Sequence, residues 1–160
     1  MSGYDKWIKK NTHLLTNQLA IVIGATGSIG KEIVDYLLML KAKVIIGARN
    51  LDKAEALKNQ LLLKYPDAKI YIEHIDISSL ESIDNFQLEL DRKYQKADIF
   101  INNSGVYHLQ KSLSKDGYEI YNYRDITADH IKSKGSIKAS DYSSSNTRFD
   151  TSKLGSAVSF

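Results

Sequence analysis

Apolar residues in the first two thirds of the chain form short continuous runs. These runs are LAIVIG (19–24), KVIIGA (43–48), KIYIEHI (69–75) and DIFINN (98–103). Short runs rich in Ile and Val are typical of parallel strands that are buried on both faces. The pattern therefore predicts four parallel strands in this part of the chain.

Segments of helical period separate these runs. Their apolar residues recur every three or four positions: Ile29, Ile33, Leu37 and Leu40; Ala54, Leu57 and Leu61; Leu80, Ile83, Phe86 and Leu90. Each segment predicts an amphipathic helix whose apolar stripe packs on a sheet. Alternating strands and helices indicate βαβ crossovers, so we predict an α/β fold with a Rossmann-like, doubly wound parallel sheet.

The pattern fades after Asn103. Residues 106–160 accumulate serine, and DYSSSN (141–146) is typical of a loop, although scattered Ile, Tyr and Phe favour partial order. We expect one Rossmann-like domain over 1–160 with about four clear strands. An N-terminal helical arm (1–18) and the irregular segment 106–160 flank its core.

Composition narrows the class of function. The net charge is only +3 and the basic residues are dispersed, which gives little support to nucleic-acid or membrane-surface binding. The chain has no cysteine, which agrees with a cytoplasmic location, and its four histidines are far apart, so we expect no metal site. The N-terminus lacks the apolar stretch of a signal peptide, and no segment approaches the about 20 apolar residues of a membrane span.

The strongest chemical motif is GATGSIG (24–30), between the first strand and the first helix. In this context Gly24 permits a tight turn, Gly27 lets the backbone approach a pyrophosphate, and Gly30 allows the helix to pack on the strand. The helix N-terminus then faces the anion. The expected cofactor-binding residues are Gly24, Thr26, Gly27, Ser28, Ile29 and Gly30. The alternative is a turn that needs glycine for steric reasons alone.

A second cofactor signal is GARN (47–50), at the end of the second strand. An NAD site normally places a carboxylate here for the ribose 2′-hydroxyl, whereas arginine suits the 2′-phosphate of NADP. The chain has Arg49 and no acid before Asp52, which favours NADP over NAD. The alternative is that Arg49 is a solvated residue beside a helix N-cap at Asn50.

Together these motifs resemble the short-chain dehydrogenase/reductase family. The matching stretches are GATGSIG, ARN, HIDIS (74–78), INNSGV (101–106) and DTSK (150–153), while ARNLDKAEAL and KDGYE are similar to the retinol-dehydrogenase-like branch. By this resemblance Asp76 and Ile77 flank the adenine, and Asn103, Ser104 and Gly105 line the cofactor near its nicotinamide. The residues alone also allow Asp76 to be a turn or capping carboxylate, and Asn102 and Asn103 to end a strand.

The resemblance implies hydride transfer between a nicotinamide and a small-molecule alcohol or carbonyl. In this family a tyrosine four residues before a lysine supplies the proton, and the ammonium lowers the pKa of the phenol. Lys153 matches the lysine, but Phe149 occupies the tyrosine position. Asp125 falls at the position of the family's relay asparagine, and Ser136 lies at the spacing of its serine without a strand to present it.

Other features of the C-terminal third leave the catalytic role open. Tyr121, Tyr123 and Tyr142 carry hydroxyls, but a structural role is favoured for all three, and Lys153 either contacts a ribose or is solvated. The short interval between Gly105 and Lys153 indicates an internal deletion near residues 119–135. The chain also stops before the last elements of the family's fold, which include its common dimer interface.

Three hypotheses follow for the function. The first is an NADP(H)-dependent oxidoreductase of this family with impaired catalysis. The second is a dinucleotide-binding module that has lost the chemistry. The third is a truncated remnant whose exposed strand edge favours aggregation or association with another chain. A homo-oligomer is possible under the other hypotheses as well.

Overall fold

The structure is a computed structural model that describes residues 3, 13–94, 96–104 and 117, and the backbone of 142–144. Its strands are β1 (Leu19–Ile23), β2 (Lys43–Ala48), β3 (Ile70–His74), β4 (Ile99–Asn102) and β5 (Tyr142–Ser144). Its helices are α1 (Ser28–Met39), α2 (Leu51–Lys64) and α3 (Leu80–Lys93). The strands form one sheet in the order β3-β2-β1-β4-β5, with every neighbouring pair parallel.

The central strand β1 is buried on both faces, as its unbroken apolar run predicts. Ala20 and Val22 belong to the cluster on one face, while Ile21 and Ile23 belong to the cluster on the other. Since successive side chains of a strand point to opposite faces, only a continuously apolar sequence can occupy this position.

Helices cover the two faces of the sheet. Val34 and Leu37 of α1 and Leu61 of α2 pack into the first cluster. Phe86 and Leu90 of α3 pack into the second. The predicted Rossmann-like, doubly wound α/β fold is therefore confirmed.

Ile29 departs from the stripe predicted for α1. Its side chain is 69% exposed, whereas Val34, Leu37 and Leu38 are buried. Ile29 lies in the first turn of the helix, which follows the glycine-rich turn at the carboxyl end of β1. Periodicity alone could not show that this position is exposed.

The loop predicted for DYSSSN is wrong at its centre. Tyr142–Ser144 forms β5, which pairs in parallel with β4 and adds a fifth strand to the sheet. Its register matches Ser143 with Ile101 and Ser144 with Asn102. The sequence pattern did not predict this strand, because two of its three residues are serine, which is not enriched in strands.

The segment 13–18 leads into β1 as coil and a turn. Leu15 is buried, and its N–H donates to the carbonyl of Leu40 at 2.7 Å. The helix predicted for the N-terminal arm therefore does not reach β1. Gly3 is helical, and the rest of the arm lies outside the described residues.

A buried carboxylate ties the edge strand β3 to the end of α3. Glu73 accepts hydrogen bonds from Lys93 Nζ at 2.8 Å and from the Tyr94 hydroxyl at 2.8 Å. Burial and the hydrogen bond to Glu73 raise the pKa of the Tyr94 hydroxyl. The Tyr71 ring packs edge-on against Tyr94, with centroids 5.6 Å apart. An inward charge on an edge strand also opposes pairing with another chain.

Replacing Glu73 with alanine is expected to lower the free energy of unfolding by about 1–3 kcal/mol, because the partly buried Tyr94 hydroxyl loses its acceptor. Lys93 keeps its ion pair with Glu89 at 3.1 Å. Glu55→Ala is the matched control, since Glu55 is 55% exposed and lies 3.8 Å from Lys58. An exposed pair of this kind contributes about 0–1 kcal/mol. Urea unfolding followed by circular dichroism measures both variants. Equal losses would contradict the stabilising role of Glu73.

Candidate functional site

The order of the sheet reverses between β1 and β4. From β1 the chain proceeds to β2 and β3 on one side, and it then returns to place β4 on the other. Ligands of open α/β sheets bind outside the carboxyl ends of the strands at such a reversal. The candidate site is therefore the crevice above the ends of β1 and β4.

Gly24 brings the end of β1 against the end of β4. Its φ is +78°, in the left-handed region that favours glycine. A Cβ at this position would lie 2.7 Å from Ser104 N and 2.8 Å from Asn103 C, too close for any side chain. The two strand ends are also joined by Asn103 N–H, which donates to the carbonyl of Ile23 at 2.9 Å.

Gly30 packs the first turn of α1 onto the glycine-rich turn. A Cβ here would collide with the carbonyl oxygen of Gly24 and lie 2.7 Å from Ala25 Cα. The contact involves backbone atoms, which cannot rotate away as a flexible side chain would. Gly24 and Gly30 are thus both required by the fold itself.

Gly27 differs from the other two glycines. Its φ of −77° is available to any residue, and a Cβ would meet only Gly24 O, at an ordinary 3.5 Å, among the described atoms. Gly27, Ser28 and Ile29 are exposed, and Thr26 is half-buried. Neither packing nor backbone conformation explains glycine at position 27.

The N-terminus of α1 is open, in contrast to those of the other two helices. Asn50 caps α2 by accepting from Lys53 N–H at 2.8 Å, and Ser79 caps α3 by accepting from Ser82 N–H at 3.3 Å. The N-cap of α1 is Gly27, which has no side chain to donate or accept a hydrogen bond. In the described structure no side chain caps this helix, and its first turn contains no acidic residue. Its N–H groups and positive dipole end face the crevice, an arrangement suited to an anion.

The end of β2 carries the second group of predicted residues. Arg49 follows the strand directly and is exposed, and Asn50 caps α2, as the alternative interpretation of GARN expects. An exposed guanidinium beside a capped helix is compatible with solvent and with a phosphate. The cap alone does not decide between them.

Asp76 follows β3 and forms a turn. Its Oδ1 accepts from Ser78 N–H at 3.0 Å and from the Ser78 hydroxyl at 2.7 Å, and its own N–H donates to Ser82 Oγ at 2.9 Å. The side chain is buried, with 9% exposure, and Ile77 is half-buried against the α3 face. The turn carboxylate considered for Asp76 is thus present, and Asp76 is held rigidly at the rim of the sheet.

The end of β4 is shaped by Asn102. This side chain is fully buried, and its Oδ1 accepts from both the N–H and the hydroxyl of Ser104. Asn103 Nδ2 lies 3.5 Å from the carbonyl oxygen of Gly24. Asn103 and Ser104, both half-buried, are therefore brought directly beside the glycine-rich turn.

The remaining predicted residues lie outside the described part of the chain. They are Gly105, Tyr121, Tyr123, Asp125, Ser136, Phe149 and Lys153. Of the candidate tyrosines only Tyr142 is placed, through its backbone in β5. The structure also places Ser144 opposite Asn102 at the crevice side of the sheet, which the sequence pattern missed.

A family model described as short chain dehydrogenase matches residues 18–127. The chain belongs to the short-chain dehydrogenase family. The match begins just before β1 and continues beyond the described end of β4, so it contains the glycine-rich turn and the crevice above it.

Two curated relatives show where the likeness lies. Short-chain dehydrogenase TIC 32 B, chloroplastic, of Brassica napus is 39% identical over 100 residues, which are 62% of this chain and 31% of that protein. Retinol dehydrogenase 14 of Mus musculus is 29% identical over 117 residues, which are 67% of this chain and 35% of that protein. This match to a retinol dehydrogenase agrees with the branch that the sequence motifs resemble. The chain spans about a third of the length of these short-chain dehydrogenases.

A solved short-chain oxidoreductase from Pseudomonas aeruginosa PAO1 has a similar fold. Its structure is described as NADPH-bound and as containing an atypical catalytic center. It is 25% identical to this chain, with a TM-score of 0.56, and the match covers 62% of this chain and 38% of that chain. In the described part of the chain, no helix combines the length and the apolar character needed to cross a membrane.

Gly30→Ala is expected to lower the free energy of unfolding by about 1–3 kcal/mol, because the added methyl overpacks rigid backbone. Gly27→Ala is expected to change it by less than about 1 kcal/mol, since the methyl meets no close atom and the φ is ordinary. Urea unfolding measures both variants. A large loss at Gly27 would show that the fold, and not a ligand, requires glycine there.

Proposed function

We propose that the crevice between β1 and β4 binds a nicotinamide dinucleotide, with NADP(H) preferred to NAD(H). The chain is then an oxidoreductase of its family, acting on a small-molecule alcohol or carbonyl. The proposed cofactor contacts are Gly24, Thr26, Gly27, Ser28, Ile29, Gly30, Arg49, Asp76, Ile77, Asn103, Ser104 and Gly105.

One observation carries this proposal. A Cβ at Gly27 would make only an ordinary 3.5 Å contact with Gly24 O among the described atoms, at the uncapped N-terminus of α1 and beside the reversal of the sheet. A pyrophosphate seated there would receive backbone N–H groups and the positive end of the helix, and a side chain at position 27 would displace it. A bound pyrophosphate would explain why position 27 is glycine, since the contacts within the described fold do not require glycine there.

The preference for NADP rests on the end of β2. Arg49 is exposed there, and the position that follows the strand holds no carboxylate for a ribose 2′-hydroxyl. A guanidinium forms strong charge-assisted hydrogen bonds with a phosphate monoester. The NADPH bound to the similar oxidoreductase of Pseudomonas aeruginosa supports the same choice.

Asp76 and Asn103 suit the two ends of such a cofactor. The turn at Asp76 fixes a carboxylate at the rim beside the end of β3, where an adenine amino group is expected. Asn103 and Ser104 stand beside the glycine-rich turn, where the nicotinamide ribose is expected. These contacts orient the dinucleotide along the carboxyl edge of the sheet.

The proposed chemistry requires a proton at the substrate oxygen. A bound nicotinamide supplies or accepts the hydride, while the protein must deliver or remove the proton. We propose that Lys153 contacts the nicotinamide ribose. Phe149 stands where the family resemblance expects the proton-donating tyrosine, and a phenyl ring has no proton to give. We therefore propose that turnover is weak or lost.

A dinucleotide-binding module without catalysis is the second candidate function. Phe149 favours it, together with Asp125 at the position of the relay asparagine. Such a module would retain the Gly27 crevice and bind the cofactor without consuming it. The third possibility, a remnant that binds nothing, differs from both in showing no saturable binding.

The proposed setting follows from composition. The chain has no cysteine, which agrees with a reducing compartment such as the cytoplasm. The small net charge of +3 favours neither nucleic acid nor a charged membrane surface as partner. A homo-oligomer is compatible with this proposal.

Gly27→Ala is expected to weaken NADPH binding at least about tenfold, because its methyl occupies the space of the pyrophosphate. Isothermal titration with NADPH measures the dissociation constant. Gly3→Ala is the control, since no described atom lies within 4 Å of a Cβ at that exposed position. Unaltered binding by the folded Gly27→Ala variant would contradict the proposed site, and no saturable binding by the wild-type chain would favour the remnant.

Phe149→Tyr is expected to raise NADPH-dependent reduction of a panel of aldehydes and ketones by about 100-fold over the wild-type chain, since a positioned acid contributes on this scale. The double variant Phe149→Tyr with Lys153→Met is expected to lose most of that gain. NADPH oxidation, followed by the loss of its near-ultraviolet absorbance, measures both. If the Phe149→Tyr variant binds NADPH but shows no gain in reduction rate, the oxidoreductase hypothesis is wrong. The dinucleotide-binding module then becomes the favoured function.

A further inference from the structure

Strands β2 and β3 stay paired up to their carboxyl ends. The last pair in register is Ala48 with His74, and the N–H of Ile75 donates to the carbonyl of Ala48 at 3.1 Å. Arg49 follows Ala48 directly. His74 and Arg49 therefore stand at neighbouring strand ends on the rim where the proposed adenosine half of the cofactor lies.

His74 is turned toward solvent at this rim. Along β3, Ile70 and Ile72 pack on the face that carries α1 and α2, while Glu73 contacts the end of α3 on the opposite face. The period of two places His74 on the face of Ile70 and Ile72. It is exposed, whereas Glu73 and Ile75 on either side are buried.

The neighbouring residue Ala48 leaves room beside His74. In a parallel pair the side chains of register partners point to the same face, so the alanine methyl lies next to the imidazole. Ala48 is 6% exposed and Arg49 is exposed. The corner thus consists of a small buried residue flanked by two exposed side chains that can donate hydrogen bonds.

Each carboxylate near this corner has a hydrogen-bond donor or a basic residue beside it. Glu73 is buried and paired with Lys93 on the other face of the sheet. Asp76 is buried and accepts from Ser78. In the first turn of α2, Asp52 is followed at once by Lys53, whose charge offsets it.

We propose that His74 is a second specificity-determining residue for the 2′-phosphate of NADP, acting beside Arg49. An imidazole N–H and a guanidinium both donate hydrogen bonds, and a phosphate monoester offers three oxygens to receive them. The ribose 2′-hydroxyl of NAD carries no charge and gains little from this corner. The inference rests on the proposed dinucleotide site and extends it to a residue outside the glycine-rich turn and GARN.

The test uses 2′-phospho-ADP-ribose and ADP-ribose, which differ only in the phosphate and need no catalysis. His74→Ala is expected to weaken binding of 2′-phospho-ADP-ribose about 3- to 10-fold, the loss of one solvent-exposed hydrogen bond, and to change binding of ADP-ribose less than about twofold. Arg49→Gln is the positive reference, with a larger loss for the same ligand. Isothermal titration measures each dissociation constant.

His13→Gln is the matched control. His13 is also exposed, but it lies in the segment that enters β1 at the opposite, amino end of the sheet, where Gln18 accepts from Lys43 N–H. Equal effects of His74→Ala on the two ligands, or no effect on either, would overturn the role of His74 while leaving the dinucleotide site intact. A wild-type chain that binds neither ligand would instead overturn the dinucleotide site and this inference with it.

Discussion

The close approach of Gly24 to the end of β4 is the contact on which the rest of the site depends. A Cβ at Gly24 would lie within 2.9 Å of three backbone atoms of Asn103 and Ser104. Glycine with a positive φ is therefore required, and it turns the chain from the central strand into α1 within a few residues. The same approach sets the N-terminus of α1 and the end of β4 on either side of one crevice.

The three glycines of the glycine-rich turn differ in their surroundings. Gly24 and Gly30 are fixed by contacts with backbone, whereas Gly27 has ordinary space around its Cα. The N-termini of the three helices also differ. The side chains of Asn50 and Ser79 cap α2 and α3, whereas no side chain caps α1 in the described structure. Among the three helices described here, the one without a side-chain cap has its N-terminus at the reversal of the sheet.

Much of the fold and part of the site followed from the sequence pattern. The four apolar runs became β1 to β4, because a strand buried on both faces tolerates few polar residues. β5 escaped prediction, since YSS carries no apolar pattern and is a strand only through its pairing with β4. Glycine spacing between a strand and a helix marked the turn. No local pattern pairs His74 with Ala48, since the register of two strands separated by a helix brings them together.

By itself the sequence determined the alternation of strands and helices, the glycine-rich turn and the family to which the chain belongs. These properties are local, because periodicity and turn chemistry act over a few neighbouring residues. Only the tertiary structure decided the reversal between β1 and β4, the different contacts of the three glycines, and the corner shared by Arg49 and His74. Those properties depend on contacts between distant segments, and such contacts form only when the strands align in one register.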